Sequence, residues 1–174
     1  MKPNYKELLN HITTFIFDVD GVLTDGSVIL LGGQEPIRTF DSKDAFAMQL
    51  AIKKGYRVAI ITGGRSETVK ERMKFLGITD IYLGASNKIE RLEELQHMYD
   101  LKREEMLYMG DDLPDYEAMA ACGVACKTSD GAAEIKAIAD YVSPKNGGKG
   151  CVRDVIEQTL KVQGNWMLPG DHVW

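Results

Sequence analysis

Phe15-Ile-Phe-Asp18-Val-Asp20-Gly-Val-Leu-Thr24 runs from three bulky apolar residues into two carboxylates spaced two apart. The apolar part reads as a short buried strand. The carboxylates cannot be ordinary core, because burying an unpaired charge costs more than so short a strand returns. They face a mouth, a cation or both. If the extended conformation continues, Asp18 and Asp20 share a face and Val19 turns away; Gly21 then lets the backbone leave sharply. That describes an acidic, tightly turned site at the carboxyl end of a strand, where parallel α/β sheets bind ligands. An Asp-x-Asp-Gly turn without chemistry accounts for these residues equally well, so the flanking chain has to decide.

Before the strand, residues 1–12 read as a short amphipathic lead-in, with Tyr5, Leu8, Leu9 and Ile12 at helical spacing. After it, residues 27–31 and 35–40 around Gly32-Gly33 predict a β-hairpin across 26–40. Such a hairpin is a lid, an oligomer contact or decoration. Asp41-Ser42 caps a helix that stops at Gly55. Residues 57–61 are a second continuous apolar strand, followed by Thr62-Gly63-Gly64-Arg65-Ser66. Two glycines before a helix leave N–H groups able to face an anion, with Arg65 beside them; a flexible connector with a Ser66 cap is the competing account.

The helix after Ser66 buries Val69, Met73 and Leu76, and residues 80–84 form a third strand. Asn87-Lys88 opens the next helix. A lysine in a first turn is unfavourable by roughly 0.3–1 kcal/mol unless an anion compensates. Residues 106–109 are the fourth strand, and Gly110-Asp111-Asp112-Leu-Pro-Asp115 again puts carboxylates at a strand's end. Two short strands at 123–126 and 140–142, with a helix near 132–139 between them, lead to the loop Gly147-Gly148-Lys149-Gly150 and an amphipathic helix through Val152, Val155, Ile156 and Leu160. The tail, residues 163–174, carries Trp166, Met167, Pro169 and Trp174 without a period and is expected to dock, on this chain or on a neighbouring subunit.

A length of 174 residues suits one domain spanning 1–174, and a net charge of -5 without a basic run argues against a nucleic-acid surface. No apolar stretch approaches the ~20 residues of a membrane span, and the first residues lack a secretory h-region; the expected place is the cytoplasm. Cys122, Cys126 and Cys151 lie in apolar segments and read as small buried thiols rather than metal ligands.

Strands alternating with helices imply right-handed βαβ units and a mostly parallel, Rossmann-like α/β sheet flanked by helices. The carboxyl ends of its strands bring Asp18, Asp20, Thr62, Asp111, Asp112 and Lys88 to one mouth. An oxygen-rich, histidine-free set suits magnesium. With a hydroxyl, a lysine, free N–H groups and a spare carboxylate beside it, the chemistry is phosphoryl transfer through an aspartyl-phosphate.

In order and context these motifs resemble the haloacid dehalogenase superfamily of phosphohydrolases. They are similar above all to its 3-deoxy-D-manno-octulosonate 8-phosphate (KDO-8-phosphate) phosphatases, through Asp20-Gly-Val-Leu-Thr-Asp25-Gly26, the hairpin, Asp41-Ser-Lys-Asp44, Ser86-Asn-Lys88, Gly110-Asp-Asp112 and the Gly147 to Gly150 loop with Val152-Arg153. The resemblance implies a capless fold, a homotetramer, a sugar acid phosphate as substrate and a place in lipopolysaccharide precursor synthesis. Carried onto these positions, it makes Asp18 the nucleophile and Asp20 the general acid and base. Magnesium falls to Asp18, the Asp20 carbonyl, Asp111 and Asp112, and the phosphate to Thr62, Gly63 and Lys88. Arg65, Ser66, Gly148 and Lys149 are implied for the sugar acid. At Gly64 the octulosonate enzymes often carry arginine and a nine-carbon branch glutamate, so a nine-carbon or other small sugar phosphate stays open. Two non-enzyme readings compete. A response-regulator receiver is disfavoured by the Asp-x-Asp spacing and the length, and a degenerate phosphate-binding module by the complete set of chemical positions.

Overall fold

The computed structural model describes residues 4–174; residues 1–3 of the expected lead-in lie outside the described residues. Six parallel strands form one sheet: β1 Thr14–Phe17, β2 Arg57–Ile61, β3 Asp80–Tyr82, β4 Met106–Gly110, β5 Val124–Lys127 and β6 Tyr141–Val142. Their order is β3-β2-β1-β4-β5-β6. β1 sits at the centre, with Phe17 level with Ile60 of β2 and Met109 of β4. The chain order reverses between β1 and β4, so a crevice opens at their carboxyl ends.

Strand alternation sorts the core into two layers. Phe15 and Phe17 pack with Val58, Ile60, Leu107 and Met109 on one face, while Ile16, Ala59, Ile61 and Tyr108 line the other. Each fully buried phenylalanine contributes about 1.5–3 kcal/mol relative to exposure. The first layer is closed by α1 Tyr5–Leu8, α2 Ser42–Lys53, α3 Glu67–Phe75 and α6 Cys151–Val162, the second by α4 Lys88–Tyr99 and α5 Tyr116–Ala121. The expected caps hold α2 and α3. Asp41 accepts from the N–H groups of Lys43 and Asp44, and Ser66 accepts from Val69 N–H. Among the described residues no helix is long and apolar enough to cross a membrane.

The structure departs from the expected secondary structure in two places, and it also shows where the tail docks. The two-stranded hairpin shrinks to an arm with one antiparallel bridge, Ile29 to Ile37; Val28 to Leu31 are all 40% exposed or more, so nothing buried enforces a longer ladder. The helix expected near 132–139 is a single 3₁₀ turn, Glu134–Ala137. The tail docks on its own chain. The Trp174 ring meets Phe46 edge-on at 5.1 Å, Asp171 pairs with Lys54 at 2.8 Å, and Trp166 packs on the core beneath Arg153.

Candidate active site

After Asp18 the backbone abandons the extended path. Residues Val19–Leu23 form one wide turn in which Gly21 takes φ 88°, and only glycine adopts that conformation without strain. A Cβ on Gly21 would also lie 1.9 Å from Asp111 Oδ2, so the glycine admits the carboxylate of the neighbouring strand end. The turn separates the two acids that an extended strand would have put side by side. Asp18 turns inward and is buried, whereas Asp20 turns toward the arm and keeps 37% of its side chain exposed.

Lys88 organises the interior of the site. It is buried at the first turn of α4, and its Nζ lies 2.7 Å from Asp18 Oδ2 and 2.7 Å from Asp115 Oδ1. The compensating anions are therefore these two carboxylates. Burial pulls the Lys88 pKa down, but Asp18 and Asp115 more than reverse this and hold it above the ordinary lysine value. Asp115, fully buried, also accepts from Tyr108 OH at 2.9 Å and from the N–H groups of Asp111 and Asp112 at 3.1 and 3.4 Å. Both its oxygens are committed, so it orients Lys88 and the Asp111 loop. The sequence presents Asp115 among the carboxylates after β4 but does not by its spacing place it in the site. The available signal was its position three residues after Asp112 at the start of a helical turn, where a carboxylate satisfies free N–H groups.

Three carboxylates face one lysine. Asp18, Asp111 and Asp115 each offer an oxygen within 4.8 Å of the others. Burial first, then Asp115, raises the Asp18 pKa to about 6 against the pull of Lys88. Burial, then Asp18 and Asp115, raises Asp111 to about 7. A site that resists holding its own negative charge suits a hard cation, and Asp111, with no hydrogen-bond partner for its carboxylate among the described residues, stands ready to ligate one.

The remaining sequence-selected residues fall at different depths. Thr62 is buried at the end of β2, its hydroxyl accepting from Gly64 N–H at 3.1 Å, with Gly63 exposed beside it. Asp112 is exposed and caps the 3₁₀ turn Leu113–Asp115 through Leu113 N–H at 2.8 Å. Arg65 is exposed over Gly84, while the Ser66 hydroxyl is engaged by Val69 N–H and by Glu35. Gly147 and Gly148 press against the Asp18 turn, since a Cβ on Gly147 would lie 2.0 Å from Gly21 O and one on Gly148 2.6 Å from Asp25 N. Lys149 projects outward with Lys43 and Arg153 around an open groove. Arg38 and Glu35, from the arm, are site residues that sequence reading missed: Arg38 holds both oxygens of Asp20.

A family model of haloacid dehalogenase-like hydrolases matches residues 75–156. The chain is 36% identical over 154 residues to the 3-deoxy-D-manno-octulosonate 8-phosphate phosphatase KdsC of Escherichia coli, covering 88% of this chain and 82% of that one. It superposes on the 3-deoxy-D-manno-octulosonate 8-phosphate phosphatase of Moraxella catarrhalis, solved with a magnesium ion, a phosphate ion and KDO, with a TM-score of 0.91 and 34% identity over 95% of each chain. The cobalt-bound phosphatase of Haemophilus influenzae superposes with a TM-score of 0.87 at 32% identity over 90% of this chain and 92% of that one. Sheet order, buried acidic cluster and these matches agree: the chain belongs to the haloacid dehalogenase-like hydrolases, within the family of the 3-deoxy-D-manno-octulosonate 8-phosphate phosphatases.

Proposed function

We propose that this chain is a magnesium-dependent phosphomonoesterase that hydrolyses 3-deoxy-D-manno-octulosonate 8-phosphate to KDO and phosphate, in lipopolysaccharide precursor synthesis. The observation that carries the reading is the buried Asp18 carboxylate, held by Lys88 at 2.7 Å beside an Asp111 whose carboxylate has no direct hydrogen-bond or ion-pair partner among the described residues. Asp18 and Asp111, with the Asp20 carbonyl, would hold the magnesium ion, and Asp112 supports them from outside. Bound there, the ion neutralises the carboxylates and the phosphoryl oxygens.

Asp18 is the nucleophile. One of its oxygens bonds to phosphorus while the sugar oxygen leaves with its bonding pair and takes a proton from Asp20. Asp20 then takes a proton from the water that cleaves the aspartyl-phosphate, which returns Asp18 as a carboxylate. Thr62, Gly63 N–H and Lys88 face the phosphoryl oxygens, where fixed donors away from water are worth most. Arg65 and Lys149 are exposed cations at the rim that suit the sugar acid's carboxylate, whereas Ser66 and Gly148 serve it by shaping the wall.

The chain acts as one domain over residues 1–174 and as a homotetramer. The exposed apolar run Val28 to Leu31 with Ile37 supports a subunit contact through the arm. Three free, buried thiols fit a reducing, cytoplasmic setting.

The deciding measurement is phosphate release, with magnesium and with a chelator, from the eight-carbon and nine-carbon keto-deoxy sugar acid phosphates, a hexose phosphate and p-nitrophenyl phosphate. Strong preference for the eight-carbon acid, lost on chelation, supports the full reading. Preference for the nine-carbon acid moves the substrate and keeps the chemistry, and no release from any of the four overturns it.

A further inference from the structure

Two polar side chains tie the arm at residues 26–40 to the body among the described residues. Glu35 accepts from Ser66 Oγ and, at 3.2 Å, from Thr68 Oγ1 at the start of α3. Arg38 forks onto Asp20, with Nε 2.7 Å from Oδ1 and Nη2 3.2 Å from Oδ2. The guanidinium is fixed from the arm side as well, since Nη1 donates to Pro36 O at 3.3 Å. Its side chain is 12% exposed against 37% for Asp20, so the cation is covered while the carboxylate stays open to the mouth. Gly64 lies beside the pair, where a Cβ would sit in ordinary contact, 3.7 Å from Arg38 Nη2 and 3.6 Å from Asp20 Oδ2. Asp20 has no other hydrogen-bond partner for its carboxylate among the described residues.

A planar fork on both oxygens fixes the plane of a carboxylate as a single lysine contact cannot. It uses two of about four lone-pair sites and leaves the others for a substrate. Both oxygens accept from Arg38, so the carboxylate is held in one plane beside the mouth. We propose that Arg38 is a positioning residue for the water-activating half of the reaction, holding Asp20 in the orientation in which it accepts the proton of the attacking water. The inference rests on the reading of Asp20 as general base given above. In that half the water oxygen bonds to phosphorus, the phosphorus–oxygen bond to Asp18 breaks with its pair remaining on Asp18, and the water proton passes to Asp20. Arg38 transfers nothing and keeps its charge.

Rapid mixing of the full chain with magnesium and p-nitrophenyl phosphate separates the halves, because nitrophenolate departs without needing a proton. Arg38→Gln is expected to release a burst approaching one nitrophenolate per active site and then a steady rate lower by about tenfold or more. Its KM should fall in step with the steady rate, so that kcat/KM and the melting temperature stay near those of the parent, and Arg38→Lys should recover part of the steady rate. Glu35→Gln, which frees the other anchor, should show the same pattern more weakly. An unchanged steady rate in Arg38→Gln, or burst and steady phase falling together, overturns the proposal. Asp20→Asn tests the underlying reading: it should burst and then stall. If it loses the burst, or keeps the full steady rate, the assignment of Asp20 fails; if it bursts while Arg38→Gln does not, only the role of Arg38 fails.

Discussion

Lys88 shows how one residue can look wrong in isolation and right in place. At the positive end of α4 it is unfavourable by itself, yet it lies between two carboxylates at 2.7 Å and offsets charges that burial would otherwise make prohibitive. Asp18→Asn keeps the shape of the nucleophile without its charge. Turnover is expected to vanish while the melting temperature is kept or rises slightly, because like-charge repulsion with Asp115 is relieved; a folded variant with near-parental turnover sinks the nucleophile assignment. Gly21→Ala should do the opposite, losing stability because it combines φ 88° with a clash against Asp111. A loss of about 1–3 kcal/mol on denaturant unfolding is the expected size for such a strained position.

At the scale of elements, the Asp44 carboxylate on α2 accepts from the N–H groups of Gly150 at 3.2 Å and Arg153 at 2.7 Å, capping α6 from a neighbouring helix. Burial raises its pKa to about 6 even though both hydrogen bonds oppose the shift. A carboxyl raised above its unfolded value stabilises most fully below the unfolded pKa, and that contribution is lost as pH rises through the folded pKa. The stability gap between the parent chain and Asp44→Asn should therefore narrow between about pH 4 and about pH 6. Urea unfolding of both at a series of pH values checks it, and a gap that widens with pH contradicts it. The arm obeys a different logic. The apolar run Val28 to Leu31 and Gly32-Gly33 spelled a hairpin, but a ladder needs a surface to pack on, and a single bridge forms where none is offered within the chain.

For the whole molecule, metal binding and folding are linked through the acidic cluster. Asp18 and Asp111 have folded pKa values of about 6 and about 7, so without metal their contribution falls as pH rises through that window. Magnesium, which needs both groups ionised, should restore what is lost. At a free magnesium concentration a hundredfold above Kd the gain is about 2.7 kcal/mol. Thermal unfolding with magnesium or a chelator should show a difference that grows from pH 5.5 to pH 8, and one that shrinks over that range argues against a carboxylate site. Light scattering is expected to give a tetramer. Leu30→Asp, on the most exposed apolar side chain of the arm at 76%, should dissociate it without lowering the melting temperature of each subunit.

The parallel α/β sheet, the capped helices and the arrival of Asp18, Thr62, Lys88 and Asp111 at one edge are legible in the residues, because strand runs, caps and βαβ handedness are local or nearly local constraints. The sequence alone could not say which carboxylates point together. Side-chain alternation put Asp18 and Asp20 on one face, and only the turn through Gly21, packed against Asp111 and Gly147, sent Asp20 to Arg38 instead. The hold of Asp115 on Lys88, 27 residues away, and of Arg38 on Asp20, 18 residues away, became visible only in the folded chain. No local period or propensity encodes such distances. The packing of β1 against β4 and of the arm against the mouth decides them.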